Sequence, residues 1–259
     1  MGPLPKKGGM PKQSKTLMPS IVVATCFVLS NGVCAYEANC TNTVDCALKG
    51  EAAYKNHDYQ SAIAFYQVQV QDAEIDKMNC EQAPAQGAGK DCDSITIAAY
   101  NNLALANLRA GEPAKARMWL SITPQDLRTD FNKQLVAKAL ATFHWPASPV
   151  GEYWSNAGLG LWNEVDVTKA GDLYKISFEG YWFPPLGWSS GPNSGNLSDV
   201  VPIREGVAVM HSGDDSDCAV TVRFKADHVE LSETNECEGV FGADVRANGR
   251  FDRVSDQAN

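Results

Sequence analysis

Between His144 and Pro149 the hydrophobic period of the chain changes, and this constrains the fold more than any other feature. Upstream, from Asn42 to Phe143, apolar residues recur three and four apart, as on the buried stripe of a helix. Downstream they alternate in LWNEVDV, DLYKISFEGYWF, CAVTVRF and HVELSE, each run followed by a turn cluster. Pro146 and Pro149 punctuate the change, because proline ends a helix and holds the residue before it extended. Helices gathered at one end and strands at the other mean an α+β chain of two segregated parts. The expected order is a signal peptide over 1–35, a helical domain over 36–143 and a linker over 144–149. An antiparallel β-barrel or sandwich over 150–254 and a tail over 255–259 complete it.

The first 35 residues carry four lysines (Lys6, Lys7, Lys12, Lys15) and no acid, then the apolar run Leu17 to Ser30. Val33-Cys34-Ala35 offers small residues where a signal peptidase would cut, before Tyr36. The apolar run is well short of the roughly 20 residues of a membrane span. The mature chain is therefore expected in the periplasm or outside the cell, and not membrane-spanning. Without those four lysines, 18 of the 22 basic side chains face 31 acidic ones, a net charge of −13. Such acidity argues against nucleic acid and suits a basic protein partner or simple solubility.

Six cysteines remain after Tyr36, an even number that implies disulfides in an exported chain. They fall into three local pairs: Cys40 with Cys46, Cys80 with Cys92, and Cys218 with Cys237. The competing connectivity exchanges partners among the first four. No Cys-x-x-Cys spacing occurs and the four histidines are scattered, which argues against zinc.

The segment GEAAYKNHDYQSAIAFY, Gly50 to Tyr66, has two amphipathic stretches joined by a tight turn. Thr43 and Asp58 are candidate caps for the two helices. The first stretch offers the small residues Gly50 and Ala53 and the second Ala62, with the aromatics Tyr59 and Tyr66. YNNLALANLRAGEPAKARMWL copies the pattern, with Tyr100, Ala104, a turn at Gly111-Glu112-Pro113, and Ala116. The pattern resembles the tetratricopeptide repeat, which implies helical hairpins that hold a protein or peptide rather than catalyse a reaction. Gly50 and Ala104 lie 54 positions apart, whereas the repeat period is about 34. The excess is MNCEQAPAQGAGKDCD, expected as a stapled loop between Cys80 and Cys92. A last helix with Phe131, Leu135, Ala139, Leu140 and Phe143 on one face is expected to cover the end of the apolar core.

In the β half, Asn248-Gly249 signals a hairpin between ADVRA and RFDRV. The run from Cys218 to Arg253 resembles small secreted bacterial β-domains of the lysozyme-inhibitor type, which implies blocking a cell-wall hydrolase. Trp154, Trp162 and Trp182 are expected in strands, in core or interface packing. The segment Tyr181 to Trp188 leaves a strand and enters the Pro/Gly/Ser-rich SSGPNSGN, so Tyr181, Trp182, Phe183, Leu186 and Trp188 are candidate binding anchors, the alternative being that they fold back over the barrel end or dock on the helices. No nucleophile elbow, phosphate loop, zinc-ligand helix or dinucleotide fingerprint occurs, and no cofactor or metal is expected. The function expected from these features is a non-enzymatic envelope adaptor or inhibitor that binds protein. The alternatives are an inhibitor of a hydrolase such as lysozyme, and a carbohydrate-binding protein using Trp182 and Trp188.

Overall fold

The computed structural model describes residues 38–82, 91–184, 191–213, 217–238 and 240–258; the segment expected as a signal peptide lies outside them. Five helices fill the first half: α1 (Thr43–Lys55), α2 (Tyr59–Gln82), α3 (Ser94–Arg109), α4 (Pro113–Ile122) and α5 (Leu127–Leu140). Asn42, not Thr43, caps α1: its Oδ1 accepts the backbone N–H of Val44 and Asp45, each at 3.0 Å. Asp58 Oδ1 accepts from Ser61 N at 3.2 Å and starts α2 as expected. α2 then runs on to Gln82, so the beginning of the expected loop is helical. Gly50 is required where it stands, since a Cβ there would enter the Tyr66 ring. Ala62, Tyr66, Tyr100, Ala104 and Ala116 are buried in one cluster, with Ala53 packed at its margin. Tyr59 lies outside that cluster, edge-on to Tyr54 with ring centres 5.5 Å apart.

Helix α5 departs from the expectation at Phe131 and Leu135, although Leu140 of the expected face does pack against the helical cluster. Its buried residues are Thr129, Asn132 and Val136, while Leu127, Phe131 and Leu135 face outward. The cause is polar. Asn101 of α3, itself fully buried, donates through Nδ2 to Thr129 Oγ1 at 2.9 Å and accepts from Asn132 Nδ2 at 2.6 Å. A buried amide without partners costs about 1–3 kcal/mol, and α5 supplies both of these.

The second half is one eight-stranded antiparallel sheet: β1 (Gly151–Gly158), β2 (Leu161–Ala170), β3 (Leu173–Trp182), β4 (Asn193–Val201), β5 (Val207–His211), β6 (Ala219–Phe224), β7 (His228–Glu233) and β8 (Gly249–Ser255). The order β4-β3-β2-β1-β8-β7-β6-β5 is two meanders joined where the first strand meets the last. Edge strands β4 and β5 approach each other, and His211 N–H donates to the Asp199 carboxylate across the seam at 3.0 Å. The sheet is thus a nearly closed barrel. Val165, Val167, Ile176, Phe178, Val220, Val222, Val229 and Phe251 fill its interior.

The expected hairpin at Asn248-Gly249 does not form. β8 pairs with β7 and β1, and the chain before it is irregular, tucking Phe241, Val245 and Ala247 into the barrel. Gly195 permits this, because a Cβ there would collide with the Phe241 carbonyl. That packing also draws NSGN of the expected loop into β4.

Among the described residues, disulfides join Cys40 to Cys46, Cys80 to Cys92 and Cys218 to Cys237, with Cα atoms 5.2, 5.7 and 4.5 Å apart. The first clamps the entry to α1 and the second the end of α2 to the start of α3. The third ties the start of β6 to the 3-10 turn (Asn235–Cys237) after β7. Three such bonds suit an oxidising, extracytoplasmic compartment.

Helices and barrel share a core. Trp154, Trp162 and Val254, on the outside of β1, β2 and β8, belong to the helical cluster. The Trp119 ring of α4 meets both indoles edge-on, with centres 6.2 and 5.0 Å away, and those two stack on each other at 5.2 Å. Lys115 Nζ lies 3.0 Å from Glu152 Oε2 of β1. Arg253, buried in β8, donates to the carbonyls of Pro146, Ser148 and Val150, so the linker is held by a strand of the barrel.

Candidate binding site

The barrel rests on α2 and α4. Besides the α4 contacts, Gly160 in the turn between β1 and β2 sits against Val70 and Glu74 of α2, with the Tyr100 hydroxyl at the margin. The outward sides of α1, α3 and α5 form the opposite layer, and among the described residues nothing covers it. α2 packs against both α1 and α3, so the two flank a trough of about 390 Å³. Leu48 and Tyr54 of α1 line one wall, Asn102 and Leu105 of α3 the other, and Tyr66 of α2 the floor.

The trough has an apolar bed and a polar rim. Glu51 pairs with Lys55 at 2.5 Å on α1. Asn102 Nδ2 donates to Gln69 Oε1 at 3.2 Å, and Arg109 Nε donates to the Tyr54 hydroxyl at 3.2 Å. Burial, with help from Glu51, pushes the Tyr66 hydroxyl up to about 12, which keeps it neutral at any physiological pH. Leu48 is 61% exposed and Val44, one turn earlier, 68%. On α5, Leu127, Phe131 and Leu135 repeat at four-residue intervals with exposures of 87, 59 and 36%. Apolar side chains in line on helix faces, beside hydrogen-bonding rims, are what a docked peptide or protein requires.

A second cleft, of about 270 Å³, opens between α2 and the outer face of β1, β2 and β3. Gln67, Gln71, Trp154, Trp162, Glu164 and Tyr181 are among its lining. Strand register sets Glu152 opposite Asp166 and Glu164 between Trp154 and Glu179. Burial first, then Glu152, Asp166 and Glu179, push the Glu164 carboxyl up to about 7, against the pull of Lys115. The Tyr181 hydroxyl donates to Glu179 and is pushed up to about 12 by that bond.

Of the five aromatic and apolar anchors expected between Tyr181 and Trp188, Tyr181 borders this cleft. Trp182 packs on the barrel interior and Phe183 is half-buried beside Gly158. Leu186 and Trp188 lie outside the described residues. Leu48, Tyr54, Asn102 and Leu105 of the trough and Gln67, Gln71 and Glu164 of the cleft carry no sequence motif that singles them out. Among the described residues no group of three His, Cys, Asp or Glu is placed to hold a metal ion. No helix among them is long and apolar enough to cross a membrane. No family model, curated protein or solved structure matches the chain.

Proposed function

We propose that the chain is an extracytoplasmic protein-binding platform, and that its docking face is the outer layer of α1, α3 and α5. The observation that carries this is the direction of the barrel: it packs on α2 and α4 and leaves the opposite layer open, with Leu48 and Phe131 exposed. The tetratricopeptide-like spacing of Gly50, Ala62, Tyr100 and Ala116 supports the same reading, since that resemblance implies helical hairpins that hold a protein or peptide. Three disulfides support work outside the cytoplasm. Two of them, Cys40–Cys46 and Cys80–Cys92, restrain the entry to α1 and the α2–α3 connection.

The test compares full-length protein with its Leu48→Asp and Phe131→Asp variants as baits in an extracytoplasmic extract. Both residues are exposed, so the variants should fold with unchanged circular dichroism. A partner retained by the wild type and lost by at least one variant supports the platform. Identical retained proteins from all three baits count against it.

A further inference from the structure

We propose that the α5 edge of the outer layer rests on an anionic lipid surface, which makes the chain a peripheral membrane protein. This goes beyond protein docking, and it needs no second protein.

The apolar stripe of α5 is a ridge. Leu127, Phe131 and Leu135 are 87, 59 and 36% exposed. At 3.6 residues per turn, steps of four advance about 40° around a helix. The three side chains thus share one sector, turned away from buried Thr129, Asn132 and Val136. Other residues line the trough between α1 and α3 and a groove of about 220 Å³ between α4 and α5. On α5 that groove takes Lys133, Val136, Ala137 and Leu140, so no second wall faces the stripe. A protein partner has to match such a ridge with a seat of complementary shape. A fluid bilayer accepts it as it stands, the apolar side chains entering the boundary between headgroups and acyl chains. No helix among the described residues is long and apolar enough to cross a membrane, so the contact is superficial.

Charge selects the lipid. Residues 94–140 carry six basic side chains (Arg109, Lys115, Arg117, Arg128, Lys133, Lys138) against Glu112, Asp126 and Asp130, a net of +3 in a chain of net −9. On the helix surface Arg128 projects beside Leu135, and Lys138 between the directions of Leu127 and Phe131. Among the described residues neither cation has an ion-pair partner, whereas Lys49, Lys55, Lys77, Lys115, Arg246 and Arg250 all do. The neighbouring Asp126 carboxylate is engaged in capping α5, accepting the Arg128 backbone N–H at 3.1 Å. Long apolar stems let Arg128 and Lys138 extend the ridge while their heads reach phosphate oxygens. The acidic remainder of the chain is repelled by the same surface, so the chain is oriented with α5 inward and its binding is sensitive to salt.

The test is co-sedimentation of the protein, purified after export, with vesicles of phosphatidylcholine alone or mixed equally with phosphatidylglycerol. Binding to the mixed vesicles should be at least about tenfold stronger, and should fall about tenfold between roughly 50 and 500 mM salt. The double variants Leu127→Ser/Phe131→Ser and Arg128→Gln/Lys138→Gln should each weaken it about tenfold or more with unchanged circular dichroism, because all four positions are exposed. Val200→Ser, at an exposed position of β4, should bind as the wild type does. No binding to the mixed vesicles, equal binding to both compositions, or either double variant binding like the wild type overturns the proposal. Since the assay contains no other protein, its failure leaves the protein-docking reading untouched.

Discussion

The Trp162 indole of β2 meets the Trp119 indole of α4 edge-on, with ring centres 5.0 Å apart. Both are buried, and through this pair the helices and the barrel are closed over one core. The arrangement decides which helical face is left for partners, because α4 and α2 are occupied by the barrel. It also fixes the cleft wall that Trp162 provides.

Removing that keystone should weaken both halves together. Trp119→Ala is expected to cost about 3–5 kcal/mol, the range for an aromatic truncated in a core. Denaturant unfolding read by helical and by aromatic circular dichroism should shift by the same amount. A shift confined to one probe would mean that the halves are stabilised separately.

Arg253 is 1% exposed and its two terminal nitrogens reach three carbonyls of the 146–150 segment. Its guanidinium also lies 4.9 Å from the Trp145 ring centre. A lysine ammonium is a point donor and cannot reproduce this fork. Arg253→Lys should therefore cost ~1–3 kcal/mol in denaturant unfolding, and Arg253→Met about 3 kcal/mol or more. Losses below about 0.5 kcal/mol in both variants would show that the linker is held by other contacts.

Helix α5 makes an inverted pair of expectations. Phe131→Ser, at an exposed apolar position, should change stability by no more than about 0.5 kcal/mol. Asn132→Ala removes the donor to Asn101 Oδ1 and should cost ~1–3 kcal/mol. Thermal unfolding of the two variants ranks them, and the reverse ranking would mean that α5 is rotated about its axis.

Glu164 gives a pH signature. Its carboxyl is raised from 4.5 to about 7 in the folded chain, so between those values the native state holds more protons than the unfolded one. Stability contributed at this position is highest below pH 4.5 and falls as pH rises to about 7. Burial and the carboxyls of Glu152, Asp166 and Glu179 cause the shift, and Lys115 opposes it. Glu164→Gln should be more stable than wild type at pH 8 by ~1 kcal/mol, allowing for its partial exposure, or about 2–4 °C in Tm. At pH 4 the two should melt alike. An equal difference at both pH values would contradict the assignment.

What could be read from the chain follows from where its polar groups lie. The change of period at Pro146, the four alternating strands and the three cysteine pairs were legible because each has a local cause. β1 was legible only in the strand expected around Trp154: Tyr153 faces the barrel core while Glu152 and Trp154 are buried against the helices, so no alternation appears. α5 misled because Asn101, in a different helix, selects its polar side. Asn248-Gly249 carries a turn signal, yet the residues before it were needed inside the barrel. The trough left one trace. Leu48 lies off the stripe defined by buried Cys46 and Gly50, an apolar residue on the polar side of its helix. The cleft left none, since its lining comes from α2, α4 and three strands that only the assembled fold brings together.

The most direct test of the open docking layer is site-specific photo-cross-linking in the producing cell. A photoreactive residue is placed at Leu48 on α1, at Phe131 on α5 and, for comparison, at exposed Val200 on β4. The platform is expected to give a discrete adduct with another protein from positions 48 or 131 and none from 200. Adducts from position 200 alone would place the partner on the barrel and contradict the account.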